Sequence, residues 1–196
     1  RGVLEIAVAS MRLVLFGPPG AGKGTQGLLL KDQLGIAHIS SGDLFRFHMH
    51  EHTALGEKAA EYITQGQLVP DDVTIEIILD KLAELGDEGF LLDGFPRTVE
   101  QAKSLENALI GVECPLDMVL FIDVPKAELE QRLAGRYICR ECQAPHSLTH
   151  HDLLNSARCD SCGGVLYQRP DDNPDAVRQR VIVYQAETVP VLAFYR

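Results

Sequence analysis

Gly17-Pro18-Pro19-Gly20-Ala21-Gly22-Lys23-Gly24-Thr25 is the stretch on which the reading of this 196-residue chain turns. It fits G-x-x-x-x-G-K followed by Gly and Thr. The glycines let the backbone curl until successive N–H groups and a helix N-terminus face one anion. Lys23 is placed to reach the outer phosphates of a nucleotide, and Thr25 supplies the hydroxyl expected near magnesium. A Gly-rich turn with a surface lysine is the plain alternative, and context decides against it. Residues 11–16 (MRLVLF) form an apolar run that stops at the loop, as a buried strand would. Residues 22–34 then place apolar side chains at 28, 29, 30 and 34 before Gly35, a plausible helix C-cap. Strand, glycine loop and helix together are the setting this motif requires.

Working outward, further short apolar runs lie at Ala37–Ser40, 89–93 and 118–124, separated by helical patterns such as 72–85. Strands alternating with helices predict an α/β fold with a parallel sheet flanked by helices on both faces. Two stretches break the rhythm. Residues 41–69 are helical and polar without a strand, and residues 135–172 carry cysteines and turns with little helical period. Each reads as an insertion over a core formed by 11–40, 70–134 and 173–196. Met11 looks like a natural start, so residues 1–10 are read as an upstream or non-native segment.

Composition narrows the function classes. With 28 acidic against 18 basic side chains the formal charge is −10, which speaks against a nucleic-acid partner, because neutralising a duplex needs a basic face. No apolar run approaches the roughly 18 residues of a membrane span, and the first ten residues lack the hydrophobic region and cleavage site of a signal peptide. Neither a membrane nor secretion is expected. The five cysteines fit a metal cluster in a reducing compartment better than a disulfide framework, which points to the cytoplasm.

Cys139-x2-Cys142, sixteen intervening residues, then Cys159-x2-Cys162 is the spacing of two knuckles holding a tetrahedral Zn²⁺. A closed four-thiolate shell is structural. Metal would stabilise a segment with too few apolar residues for its own core. His146, His150 and His151 lie between the knuckles and are expected to face solvent or nucleotide. Cys114 stands apart as an ordinary thiol. Asn173-Pro174-Asp175 reads as N-cap, proline at the first helical position and an acidic first turn, so the following helix carries Arg180.

Residues 17–26 (GPPGAGKGTQ), 38–46 (HISSGDLFR) and 92–98 (LDGFPRT) together resemble the adenylate kinase family, in its long form with a four-cysteine zinc lid. The likeness extends over about residues 11–196. It implies a P-loop kinase core with a helical monophosphate-binding insertion at 41–69 and a zinc-binding lid at 135–172. The implied reaction is reversible transfer, ATP + AMP = 2 ADP, which keeps adenine nucleotides in balance, with Mg²⁺ accompanying ATP and the protein a monomer. On the ATP side the resemblance implies Gly20, Ala21, Gly22, Lys23, Gly24, Thr25, Arg136, Pro145 and His146. On the AMP side it implies Ser41, Arg46, Gln67, Leu68, Val69, Gly94, Phe95, Pro96, Arg97 and Gln101, with Arg97 gripping the phosphate and Gln101 reading the adenine edge. Asp93 would hold magnesium through water. Arg132 and Arg136 would lie near the donor nucleotide, and Arg169 and Arg180 would span both phosphates. With Lys23 and Arg97 these arginines form the implied catalytic set, and Asp171 and Asp172 would help orient them.

The number of arginines has a chemical reason. A transferring phosphoryl group spreads charge over its equatorial oxygens, and planar guanidinium groups match that charge in bidentate fashion. The acceptor is already an ionised oxygen, so no general base is required. Family members usually continue past Phe194-Tyr195 with a strand and a closing helix. A chain stopping at Arg196 is therefore expected to expose a sheet edge and to lack backbone contacts to the donor adenine. Competing readings are a kinase for UMP or CMP, a zinc-ribbon binding module, and redox signalling through the paired cysteines.

Overall fold

The computed structural model describes residues 10–142, 144–147 and 158–196. The upstream segment and the middle of the cysteine-bearing stretch, with His150 and His151, thus lie outside the described residues. Strand β1 (Arg12–Phe16) leads through the glycine loop into helix α1 (Lys23–Leu34), which Gly35 ends in the left-handed conformation, its N–H bonding the carbonyl of Lys31 at 2.9 Å. Then come β2 (Ala37–Ser40), α2 (Ser41–His50), α3 (Ala54–Ile63), α4 (Asp71–Leu85), β3 (Phe90–Asp93), α5 (Val99–Gly111), β4 (Met118–Phe121) and α6 (Lys126–Ala134). The strands predicted at 89–93 and 118–124 are present but shorter.

All four strands are parallel, in the order β2-β3-β1-β4. Alternation along β1 shows why both faces are covered. Val14 and Phe16 join one core cluster with Leu92, Ile78 and Leu105, while Leu13 and Leu15 join a second with Leu91 and Ile36. A strand buried on both faces reads as a continuous apolar run, which is what residues 11–16 supply. The β4 edge is more open, with Met118 and Phe121 about half exposed.

Register positions the site. Leu15 and Ser40 both align with Asp93, so the carboxyl ends of β1, β3 and β2 finish level. The glycine loop, the turn after Asp93 and the start of α2 therefore emerge side by side, at the edge where open α/β sheets bind ligands.

The helical stretch beyond β2 has a small core of its own. Phe45 from α2, Ala59 from α3 and Val69 pack against Val73 and Ile77 of α4. Ser40 caps α2 through the Asp43 N–H, and Thr53 caps α3 through the Gly56 N–H. Around the cysteines the structure adds something the periodicity did not predict, a short antiparallel sheet in the order β6-β5-β7. Its strands are β5 (Arg136–Cys139), β6 (Pro145–Ser147) and β7 (Leu166–Tyr167). A 3₁₀ turn at Pro170–Asp172 leads to α7 (Pro174–Val183), whose Asn173 accepts from the N–H groups of Asp175 and Ala176 as the sequence predicts. A π-helical turn at Tyr184–Thr188 and α8 (Val189–Phe194) complete the chain. No described helix is long and apolar enough to cross a membrane.

Candidate active site

Lys23 opens α1 with its ammonium turned back under the glycine loop. Nζ donates to the carbonyls of Gly17 at 2.7 Å and Pro18 at 3.0 Å. Gly20 and Gly22 have positive φ, the conformation that wraps the loop toward the helix N-terminus. Ala21 is buried, and Gly24 and Thr25 lie exposed on the first turn of α1. Asp93 is buried at the end of β3, and a side chain at Gly24 would come within 3.8 Å of its carboxylate. Loop, lysine and carboxylate thus share one corner. Burial draws the Lys23 pKa down to about 8, against the pull of Asp93, and Arg97, Arg180 and Arg136 push the same way as burial.

The arginines come from separate parts of the chain. Arg97 follows β3, Arg46 is on α2, Arg136 opens β5 and Arg180 is on α7. Burial and then the charge of Arg180 bring Arg97 to about 10, and burial and then Arg46 bring Arg169 to about 10. Arg180 is lowered too, by burial first. Burial leads each shift and the neighbouring cations add to it, which marks a concentrated positive field. Carboxylates keep the cluster folded. Arg136 donates to both oxygens of Asp172, with the Nε bond at 2.8 Å, and Arg180 reaches Asp171 at 2.9 Å and Asp172 at 3.1 Å. Burial pushes the Asp171 carboxyl up, but Arg180, Arg46, Arg136 and Arg169 together hold it below its ordinary value. Asp43 pairs with Arg46 and stands 4.0 Å from Arg169, whose Nε is buried without a hydrogen-bond partner.

The cleft between these groups is lined by Lys23, Ser41, Arg46, Gln67, Leu68, Val69, Gly94, Pro96, Arg97, Gln101, Asp171 and Arg180. Its floor is tightly specified. Ser41 donates to the Gly94 carbonyl at 2.6 Å, and Arg97 Nε donates to the same oxygen at 2.6 Å. Gly94 has φ +75°, and a Cβ there would stand 2.8 Å from the Arg97 guanidinium and 3.0 Å from the Ser41 hydroxyl. Only glycine lets the turn and the two side chains coexist.

The family model for adenylate kinase matches residues 15–196. The chain belongs to the adenylate kinase family. Proteins named adenylate kinase from Alkaliphilus oremlandii, Symbiobacterium thermophilum and Methanocella arvoryzae are 50%, 48% and 49% identical to it. The matches cover 94–95% of this chain and 86–87% of the relatives. The parallel α/β sheet and phosphate loop described above are the P-loop kinase architecture of this family.

Within the family frame, the expected site residues divide into three groups. Most AMP-side residues line the cleft with Lys23. Phe95 does not: it is 1% exposed and belongs to the main core, so it supports the turn from beneath. Arg132 lies exposed on α6, paired with Glu128 at 2.9 Å. His146 faces the cysteines, its Nε2 3.2 Å from the sulfur of Cys159 and its side chain 9% exposed, and Pro145 beside it is exposed. The four cysteine sulfurs lie within 4.8 Å of one another, with Cys139 and Cys162 at 3.4 Å and Cys142 and Cys159 at 3.6 Å. Tetrahedral zinc with bonds of about 2.3 Å sets its sulfurs roughly 3.8 Å apart, so the donor set fits that ion.

Sequence reasoning missed three partners. Asp43 braces two arginines, Asp71 bonds Thr98 and Gln101, and the His38 ring packs 3.6 Å from Asp93. None carries a motif of its own. Asp43 falls inside the quoted stretch 38–46, and its spacing of three from Arg46 on a helix was the one available signal.

Proposed function

We propose that this chain catalyses ATP + AMP = 2 ADP, with the 41–69 insertion and the turn after β3 receiving AMP and the glycine loop receiving Mg·ATP. The observation that carries the reading is the convergence of Lys23, Arg46, Arg97 and Arg180 on one cleft, where burial first and the neighbouring cations second hold Lys23, Arg97 and Arg180 below their ordinary pKa values. A single monophosphate site would not need so concentrated a field. Two polyanions brought together would, because their repulsion must be neutralised before an oxygen of one can approach the phosphorus of the other.

In this reading Lys23 and the loop N–H groups hold the donor phosphates, and Arg46 and Arg97 hold the AMP phosphate. Arg136, Arg169 and Arg180 surround the group in transit. Ser41 and Gly94 fix the Arg97 guanidinium, while Gln67 to Val69 line the nucleoside. Magnesium arriving with ATP supplies further charge neutralisation, and Asp93 and Thr25 are the residues that would hold it, chiefly through water. The acceptor oxygen is ionised, so the protein aligns, neutralises and excludes water rather than moving a proton.

Cys139, Cys142, Cys159 and Cys162 would hold a structural zinc that organises the lid, with His146 buttressing one thiolate. The paired cysteines, read as a metal cluster, support a cytoplasmic setting, and a monomer is the family's usual state. The test is a coupled assay for ADP with AMP, UMP, CMP and GMP as acceptors. AMP-selective turnover is expected. Equal use of pyrimidine monophosphates, or nucleotide binding without turnover, would reject the assignment.

A further inference from the structure

Gln101 is 1% exposed and has half of its amide committed within the protein. Oε1 accepts from the backbone N–H of Arg97 at 2.7 Å, and Nε2 donates to Oδ1 of Asp71 at 2.7 Å. Neither partner can exchange roles, since a backbone N–H only donates and a carboxylate oxygen only accepts. The two ends of the amide are therefore not interchangeable. Asp71 is itself held: its Oδ2 accepts from the Thr98 hydroxyl at 2.8 Å, and Thr98 caps α5 by accepting the Gln101 N–H at 3.1 Å. The first residue of α4 thus shares with the Arg97 backbone the orienting of a cleft side chain thirty positions later.

We propose that Asp71 is a positioning residue for base selection: together with the Arg97 backbone N–H it fixes which end of the Gln101 amide is nitrogen, and so makes the acceptor cleft favour 6-aminopurine over 6-oxopurine monophosphates. The inference rests on reading this cleft as the AMP site. One N–H of Nε2 and one lone pair of Oε1 remain, a donor beside an acceptor in fixed order. Adenine presents the complement, an amino N–H beside the N1 acceptor. Hypoxanthine presents the reverse, an O6 acceptor beside an N1–H donor. An amide free to flip would serve either base, whereas a fixed amide leaves the 6-oxopurine with donor against donor and acceptor against acceptor. A buried mismatch of that kind is what gives strong discrimination.

The test compares AMP with IMP, which differs from AMP only at the 6-amino position and N1, at saturating Mg·ATP. Asp71→Asn keeps the shape and a partner for Thr98, yet its amide can pair with either end of Gln101, which leaves the Arg97 N–H alone to hold the order. The AMP-to-IMP ratio of kcat/KM should fall by roughly fivefold or more, with KM for ATP unchanged. Asp71→Leu, which offers no acceptor, should lower the ratio in the same direction. Both acceptors are measured on one sample, so the ratio is insensitive to any fraction left unfolded. Parallel losses for AMP and IMP, or an unchanged ratio in both variants, would overturn the proposal. Wild-type protein that turns over neither nucleotide would overturn the underlying reading of the cleft, and this inference with it.

Discussion

Lys23 is half-buried with two carbonyl partners, and its protonated form bears the cost of desolvation. Its folded pKa of about 8 lies below the ordinary 10.5. The folded state therefore binds this proton less tightly than the unfolded chain does, and the charge costs the fold most below about pH 8. The penalty, roughly 3 kcal/mol in full, fades as the pH rises from about 8 to 10.5. Lys23→Met removes the titration. Its melting temperature relative to wild type should improve as the pH is lowered from 10 to 7.5, while turnover falls by at least about a hundredfold. A constant offset across that range would show that the burial cost is met elsewhere. At this scale the sequence was legible where residues sit inside a contiguous motif, as with Lys23 and Arg97, whereas Gln101 was reached only through the family resemblance. Asp71 was opaque because its partner is thirty residues away, and no local period encodes such a contact.

Among the elements, the cysteine-bearing sheet is the least self-sufficient. Its buried cluster is Cys139, Cys159 and Leu166, edged by Tyr137 and Ala144, so two of the three core side chains are also candidate metal ligands. Losing the ion would expose most of what holds β5, β6 and β7 together. Cys139→Ser, or a strong chelator, should release about one zinc per chain and bring an early, low-enthalpy unfolding step ahead of the main transition. A variant that retains full metal content would contradict the four-thiolate site. The parallel core was readable because continuous apolar runs of four or five residues are unmistakable when both faces are buried. Strands β6 and β7, of three and two residues, are too short to show any period, and only the cysteine spacing announced that segment.

For the whole molecule, charge is distributed against the bulk trend. The chain is acidic, at −10, yet its cleft gathers at least Lys23, Arg46, Arg97 and Arg180. Anion binding should relieve their repulsion and stabilise the fold. Inorganic tripolyphosphate at about a hundredfold excess over its Kd would add roughly 2.7 kcal/mol, or about 5–10 °C in melting temperature for a chain of this size. The same titration on Arg97→Ala should give less than half the shift. Equal shifts in both proteins would place the anion outside the cleft.

The carboxylates of Asp171 and Asp172 set the terms of that encounter. Arg136 and Arg180 are matched by carboxylates, so a phosphate bound as proposed would have to draw them from their resident partners. Affinity then becomes the difference between two ion pairings. Under the proposed phosphate contacts, the two aspartates that balance these arginines would compete to reclaim them, which favours release of newly formed nucleotide over trapping.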